Sequence, residues 1–325
     1  MKLGIYGYGN IGKGVELACS QNKDIELIGI FTRRDKNSVK SILGTKVYSA
    51  DEVMDFKDKI DVLAICGGSA TELPTMTPKL ARDFNVIDTF DTHAKIPEHF
   101  HNVDKEAKES KHVALISCGW DPGMFSLNRL YANVLLPNGK DYTFWGRGIS
   151  QGHSDAIRRI EGVLDAKQYT VPVESAVKRI LDGEMPELTT RQKHIRECYV
   201  VVKNGYDKDE IEKKIKTMPN YFDEYDTIVN FVTLDELNKN HSGMPHAGFV
   251  IRTGTTGKDN EHKHTISYNL KLDSNPEFTA EALVSFSRAL YKEYKRGTTG
   301  CLTVLDIRPK DLSINSYDEL LKHTL

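Results

Sequence analysis

Lys2-Leu3-Gly4-Ile5-Tyr6-Gly7-Tyr8-Gly9-Asn10-Ile11-Gly12 is the stretch on which the fold turns. KLGIYG reads as a strand, and a helix from Ile11 to Asn22 follows at once. Between them lies GxGxxG, the spacing of a dinucleotide-binding turn. Gly7 permits the tight turn, Gly9 lets backbone approach a pyrophosphate, and Gly12 lets helix and strand pack closely. Backbone N–H groups and the helix dipole then attract phosphate. A bare GxGxxG is a weak signal; between a strand and a helix it is a strong one.

Outward from this turn, apolar runs alternate with amphipathic stretches. IELIGIF, IDVLAIC, NVIDTF and HVALIS read as strands, and KVYSA as a short one. LPTMTPKLARDF and HFHNVDKEAKESK read as helices. Such alternation predicts a doubly wound parallel α/β sheet, Rossmann-like, with helices on both faces. After Gly119 the character changes. TFWGRGISQGHSDA is rich in Gly and polar groups, and CYVVVKN, DTIVNFVTL, GFVIRTG and HTISYNLKL read as neighbouring strands. A second, α+β domain is expected there. The boundaries are set at 1–118 and 119–300, with about 301–325 returning to the first domain through the strand CLTVLDI.

Composition bounds the function. At 325 residues the chain is long enough for two domains. A net charge of −2 argues against a nucleic-acid binder. No apolar run reaches the ~18 residues of a membrane span, and the opening residues do not resemble a signal peptide. Five scattered cysteines without CxxC spacing predict buried, reduced thiols in a cytoplasmic protein. The pairs His99/His101 and His262/His264 do not have structural zinc spacing, so no metal is expected, and they read as solvated residues.

The second strand selects the dinucleotide. It ends in Thr32-Arg33-Arg34, where an NAD site usually carries an acid. Two guanidiniums bind a 2′-phosphate by charge-assisted hydrogen bonds, which favours NADP. Asp35 follows directly and keeps NAD open. Later strands run into Gly67-Gly68-Ser69-Ala70-Thr71, into Asp91-Thr92-His93 and into Gly119-Trp120-Asp121-Pro122-Gly123. Ligands of open α/β sheets sit at the strands' carboxyl ends. Asp91 and Asp121 therefore become candidates to hold a substrate ammonium.

GYGNIG, IFTRR, GSATELP, DTFDTH, SCGWDPGMFSLNR, FWGRGISQGHSDAIRRI, QYTVP, KHIREC, TMPNYF, SGMPHAG and LKLDSNPEFTA run in order through almost the whole chain. Together they resemble the meso-diaminopimelate dehydrogenase family. The resemblance implies NADP-dependent, reversible oxidative deamination of meso-2,6-diaminopimelate at its D-centre. The products are L-2-amino-6-oxopimelate and ammonia, in lysine and cell-wall precursor synthesis. It implies a homodimer, with Asp91 and Asp121 at the reacting carbon. It implies substrate contacts from Trp120, Trp145, Gln151, Gly152, Asp155, Thr170, Arg196, His246 and Asn275. Of these, Thr170, Arg196, His246 and Asn275 grip the distal L-centre. The cofactor set is Gly7, Tyr8, Gly9, Asn10, Ile11, Gly12, Thr32, Arg33, Arg34, Cys66, Gly67, Ser69, Ala70 and Thr71. The general base is left open among Asp91, Asp121 and, by location, His153. A related NADP-dependent reductase and a non-catalytic NADP sensor are the alternatives.

Overall fold

The computed structural model describes residues 1–325. Its strands are β1 (Lys2–Tyr6), β2 (Glu26–Thr32), β3 (Val47–Ser49), β4 (Val62–Ile65), β5 (Val86–Asp88), β6 (Val113–Leu115), β7 (Gly139–Trp145), β8 (Gly148–Ile149), β9 (Val163–Pro172), β10 (His194–Val202), β11 (Asp226–Phe231), β12 (His246–Thr256), β13 (His262–Leu272) and β14 (Gly300–Leu302). The chain divides into two compact units, Met1–Leu127 with Pro276–Leu325, and Asn128–Asn275.

The first unit is built on a seven-stranded sheet of order β14-β6-β5-β4-β1-β2-β3. All its pairings are parallel. Both faces are covered, and the side-chain period of two sorts each strand between them. In β4, Val62 and Ala64 join one apolar cluster, and Leu63 and Ile65 join the other. The first cluster receives Val15 and Ala18 of the helix Asn10–Gln21. The second receives Leu73 and Leu80 of the helix Leu73–Ala81, and Val103 and Ala107 of the helix Ile96–Ser110. β1 lies between β4 and β2, so the strand order reverses there. The GYGNIG turn leaves β1 at this switch point, where open α/β sheets bind ligands.

Two boundaries differ from the sequence expectation. The long helix Asn275–Lys295 belongs to the first unit from Pro276 onward. Its Ala280, Leu283, Val284, Ala289 and Leu290 pack with Leu3 and Ile5, so this apolar face completes the sheet's cover. Residues up to Leu127 also stay with the first unit. CLTVLDI is a strand only over Gly300–Leu302, paired with Val113–Leu115. Thr303 then caps a short 3-10 turn, accepting from Leu305 N, while Asp306 accepts from Thr303 N at 2.8 Å. That local capping outcompetes the strand propensity of Val304 and Leu305.

The second unit holds a four-stranded sheet, β11-β10-β9-β8, and a three-stranded sheet, β13-β12-β7. Every pairing is antiparallel except β10 with β11. Cys198, Val200, Ile211, Ile215 and Phe222 share one core, and Tyr142, Phe144, Ala176, Ile180 and Ile251 another. β7 and β9 were not legible as strands in the sequence. No helix of the protein is long and apolar enough to cross a membrane.

Candidate active site

The GYGNIG loop has the shape that a pyrophosphate requires. A Cβ on Gly12 would lie 2.3 Å from Gly7 O, so helix and turn approach too closely for any other residue. A Cβ on Gly9 would meet nothing within 4 Å, which leaves open space beside the backbone. Asn10 is exposed at the helix start, and Ile11 packs against the core. Tyr8 turns inward. Its ring is buried and its hydroxyl bonds to the Glu16 carboxylate. Burial, then this bond, pushes the phenol up to about 12. The hydroxyl also accepts from Ile42 N at 2.9 Å, so the side chain braces a neighbouring loop.

At the end of β2, Thr32 is buried and its Oγ1 accepts from Arg34 N at 3.2 Å. Arg34 Nη2 donates to Tyr8 O at 2.5 Å, which ties this arginine to the GYGNIG loop. Arg33 is ion-paired with Glu72, whose Oε2 accepts from Gly68 N at 2.6 Å. Asp35 spends its carboxylate on Asn37 N at 3.0 Å, capping the next turn. It therefore acts as a cap, where an NAD site would direct the acid at a ribose. Cys66 is buried, and burial pushes its thiol far up. Gly67 is half-buried, Ala70 and Thr71 are exposed, and Ser69 Oγ accepts from Asp91 N at 2.7 Å. Replacing Arg33 and Arg34 with Ala is expected to lower the NADP-over-NAD ratio of kcat/KM roughly 10²- to 10⁴-fold, since two charge-assisted bonds are lost and each is worth about 1.5–3 kcal/mol. An unaltered ratio would show that both arginines are only solvated. Glu72→Gln should tighten NADP binding, because the carboxylate competes with phosphate for Arg33. Weaker binding in a titration would contradict that competition.

Asp91 and Asp121 follow adjacent parallel strands, β5 and β6. Asp91 is exposed and Asp121 half-buried. The Asp121 loop closes on itself, with Gly119 N donating to Pro122 O at 3.0 Å and Met124 N to Gly119 O at 3.1 Å. Gly123 has φ +131°, and a Cβ there would fall 1.9 Å from Gly119 O. Only glycine allows that closure, which presents Asp121 at the loop's tip. Trp120 is buried, edge-on to Phe125 at 5.4 Å.

In the second unit strand register does the assembling. Thr170 pairs with Arg196 on one side and Gly148 on the other. A Cβ on Gly148 would lie 2.6 Å from the His246 ring, so that imidazole covers this row. Arg196 Nη1 donates to Thr170 Oγ1. Its guanidinium lies 3.8 Å over the Tyr225 ring, a partner that the sequence reading missed. Arg196 is only 7% exposed, has no carboxylate beside it, and its Nε has no partner. Trp145 N donates to His194 Nε2 at 2.9 Å, and the two rings stack. Asn275 N donates to Met244 O at 2.9 Å, two residues before His246. Gln151 and Gly152 are exposed in the first turn of the helix Gln151–Arg158, which Ser150 N anchors to Gln168 O at 3.0 Å. Asp155 is ion-paired with Arg158 on the same helix.

One histidine expectation changes. His99 is not solvated; it is 3% exposed, with Nε2 2.7 Å from Asp88 Oδ2. His101, His262 and His264 are exposed. His153 packs edge-on to Tyr221 and Phe222 and bonds Ser150 Oγ at 2.7 Å. Burial, then the charge of Arg196, pushes it down to about 4, so the ring is neutral at pH 7. His194 is likewise pushed to about 4, by burial and then Arg196. Unfolded histidines titrate near 6.5. Between about pH 6.5 and 4 the unfolded chain binds up to two more protons at these positions, so their stabilisation is complete above pH 6.5 and is lost as pH falls. Denaturation midpoints at pH 7, 6 and 5 should therefore decline, and less steeply in His194→Gln. An equal decline in both proteins would remove His194 from the account.

Comparison with known proteins matches residues 119–274 to the diaminopimelic acid dehydrogenase C-terminal domain. The chain is 62% identical to the meso-diaminopimelate D-dehydrogenase of Acetivibrio thermocellus, over 100% of this chain and 98% of that one. The chain belongs to the meso-diaminopimelate D-dehydrogenase family. Among solved members, the Corynebacterium glutamicum diaminopimelate dehydrogenase in complex with DAP is 43% identical, with TM-score 0.91 over 100% of this chain and 99% of that one. An engineered D-amino acid dehydrogenase bound to NADP+ is 42% identical, with TM-score 0.86 over 100% and 99%. The dehydrogenase fold therefore carries, in this chain, a phosphate-binding turn, two arginines at the end of β2 and a buried guanidinium with no anion of its own.

Proposed function

We propose that this chain oxidises the D-centre of meso-2,6-diaminopimelate with NADP, reversibly, giving L-2-amino-6-oxopimelate and ammonia. The observation that carries the reading is Arg196. A buried cation without an anion is costly, so a site that keeps one is built for an anionic ligand. A guanidinium fork suits a carboxylate. The substrate has two amino-acid heads of opposite configuration, and only one may react. Fixing the unreactive head uses its binding energy to orient the other. Arg196 takes the distal carboxylate, and Thr170, His246 and Asn275 add directional bonds. Trp120, Trp145, Gln151, Gly152 and Asp155 complete the substrate contacts.

NADP fits the first unit, held by the backbone of Gly7 to Gly12 and Gly67 to Thr71 and by Arg33 and Arg34. When bound it is the two-electron acceptor. Asp91 and Asp121 hold the substrate nitrogen and stabilise its positive charge as the D-carbon is oxidised to the iminium. Water then adds to that carbon and ammonia leaves.

The test is NADP reduction at alkaline pH with meso-, LL- and DD-diaminopimelate and D-lysine in parallel, with NAD controls. Turnover confined largely to the meso isomer with NADP is expected. Silence on every diamino acid, with NADP bound, would move the assignment to a related reductase or a sensor. We further assign the protein to the cytoplasm, supported by five free, buried cysteines. We also assign a homodimer, supported by the exposed apolar face of Leu130, Tyr131, Val134 and Leu135. Light scattering that finds a monomer would refute the dimer.

A further inference from the structure

We propose that Asp88 is a positioning residue for this reaction, a buried clamp that sets Asp91 and Asp121 relative to each other; the proposal rests on the dehydrogenase reading above. Asp88 ends β5 and is fully buried. Its Oδ1 accepts from Phe90 N at 3.0 Å and from Ser117 N at 3.0 Å. Its Oδ2 accepts from Thr77 Oγ1 at 2.7 Å and lies 2.7 Å from His99 Nε2. Its backbone carbonyl accepts from Cys118 N at 2.9 Å. An ionised carboxylate has about four acceptor sites, and here all are filled.

The two Oδ1 partners belong to different loops. Phe90 directly precedes Asp91, and Ser117 and Cys118 lead into Gly119-Trp120-Asp121. One oxygen atom therefore joins the loop carrying one substrate carboxylate to the loop carrying the other. Ser117 has φ 60°, a left-handed conformation that a non-glycine residue adopts only when its surroundings hold it there. The Oδ2 side anchors the clamp, with Thr77 on the helix Leu73–Ala81 and His99 on the helix Ile96–Ser110. His99 also stacks on Phe90, ring centroids 4.2 Å apart. Its Nδ1 has no partner, so the ring's one hydrogen-bonding link is to Asp88.

Packing alone does not call for this residue. Val86 and Ile87 on the same strand are fully buried and apolar, and a carboxylate in that layer is expensive unless every lone pair is met. What the carboxylate adds over an apolar side chain is a rigid bond between two loop backbones. Misplacing a reacting group by about 1 Å costs roughly 10²-fold in rate.

The experiment compares Asp88→Asn, Asp121→Asn and the double variant with the wild type. Asparagine has one acceptor oxygen and turns an NH₂ toward donors that need an acceptor. Asp88→Asn should lower kcat on meso-diaminopimelate roughly 10²-fold and leave NADP affinity, read by fluorescence titration, unchanged. In the Asp121→Asn background the same change should cost clearly less than it does alone, because one of the two groups being positioned is already disabled. A wild-type kcat in Asp88→Asn, losses that multiply in the double variant, or a parallel loss of NADP affinity would overturn the proposal. If Asp88→Asn does not fold, His99→Leu takes its place. It should lower kcat severalfold, and His99→Gln, whose amide N–H reaches the same oxygen, should restore it. Equal kcat in His99→Leu and wild type would be equally fatal. A wild type silent on every diamino acid strikes the functional reading instead, whereas an active wild type with an equally active Asp88→Asn strikes this one alone.

Discussion

Arg196→Met should lower kcat/KM for meso-diaminopimelate by roughly 2–5 kcal/mol of binding, about 30- to 5,000-fold, without lowering the melting temperature. The two halves of this expectation share one cause. Arg196 is buried, has no carboxylate partner and leaves Nε unpaired. Burial lowers its basicity, and Tyr225 offsets part of that effect. Removing a lone buried cation relieves a penalty of several kcal/mol. Against that stand the stacking on Tyr225, about 2 kcal/mol for a desolvated cation–π pair, and the Thr170 bond. Methionine fills much of the volume and is adaptable. The site therefore trades stability for substrate, as sites held ready for a charged ligand do. The loss should fall mainly on KM, because the distal head is gripped alike in the ground and transition states. An unchanged KM would take Arg196 out of the site. A collapse in melting temperature would mean that the guanidinium is structural cement.

The parts of this protein that were legible from sequence are those where local pattern and tertiary context agree. KLGIYG, VLAI and VALI are buried on both faces, so their uninterrupted apolar runs had one reading. The GxGxxG turn carried its own geometric requirement. β7 and β9 failed for the opposite reason. GKDYTFW and VLDAKQYTVP mix charged, aromatic and β-branched residues, and they become strands through partners distant in sequence, β12 for one and β10 for the other. The helix from Asn275 was legible as a helix but not as part of the first unit, because amphipathic spacing gives a face and not the surface it covers. At the site, residue types suggested Arg33, Arg34, Asp91 and Asp121. Side-chain direction was invisible. Tyr8 turns inward to Glu16, and Asp155 is taken by Arg158. Asp88 looked like an ordinary strand residue in VIDTF; only the pairing of β5 with β6 brings Ser117 to it.

Asp121→Asn is expected to lower kcat roughly 10²- to 10³-fold, the usual loss when one preorganised group facing developing charge is removed. The loop's own bonds hold its backbone path in this substitution. Its path is fixed by Gly119 N to Pro122 O, by Met124 N to Gly119 O, and by a Gly123 conformation closed to side chains. None of these bonds comes from the Asp121 side chain, so the loop's own closure should survive asparagine while the charge is removed. NADP affinity should hold, since the GYGNIG turn and Arg33 and Arg34 lie on other loops. Asp91→Asn should be costly for the same reason. The double variant should lose less than the product of the two, because both carboxylates serve one nitrogen. The two carboxylates then divide over pH. If one is also the proton acceptor, its asparagine variant alone should lose the acidic limb of the kcat/KM profile. Near-normal turnover in Asp121→Asn would leave Asp91 as the sole charged contact to the reacting head. Two losses that multiply fully would mean that the carboxylates act on different steps.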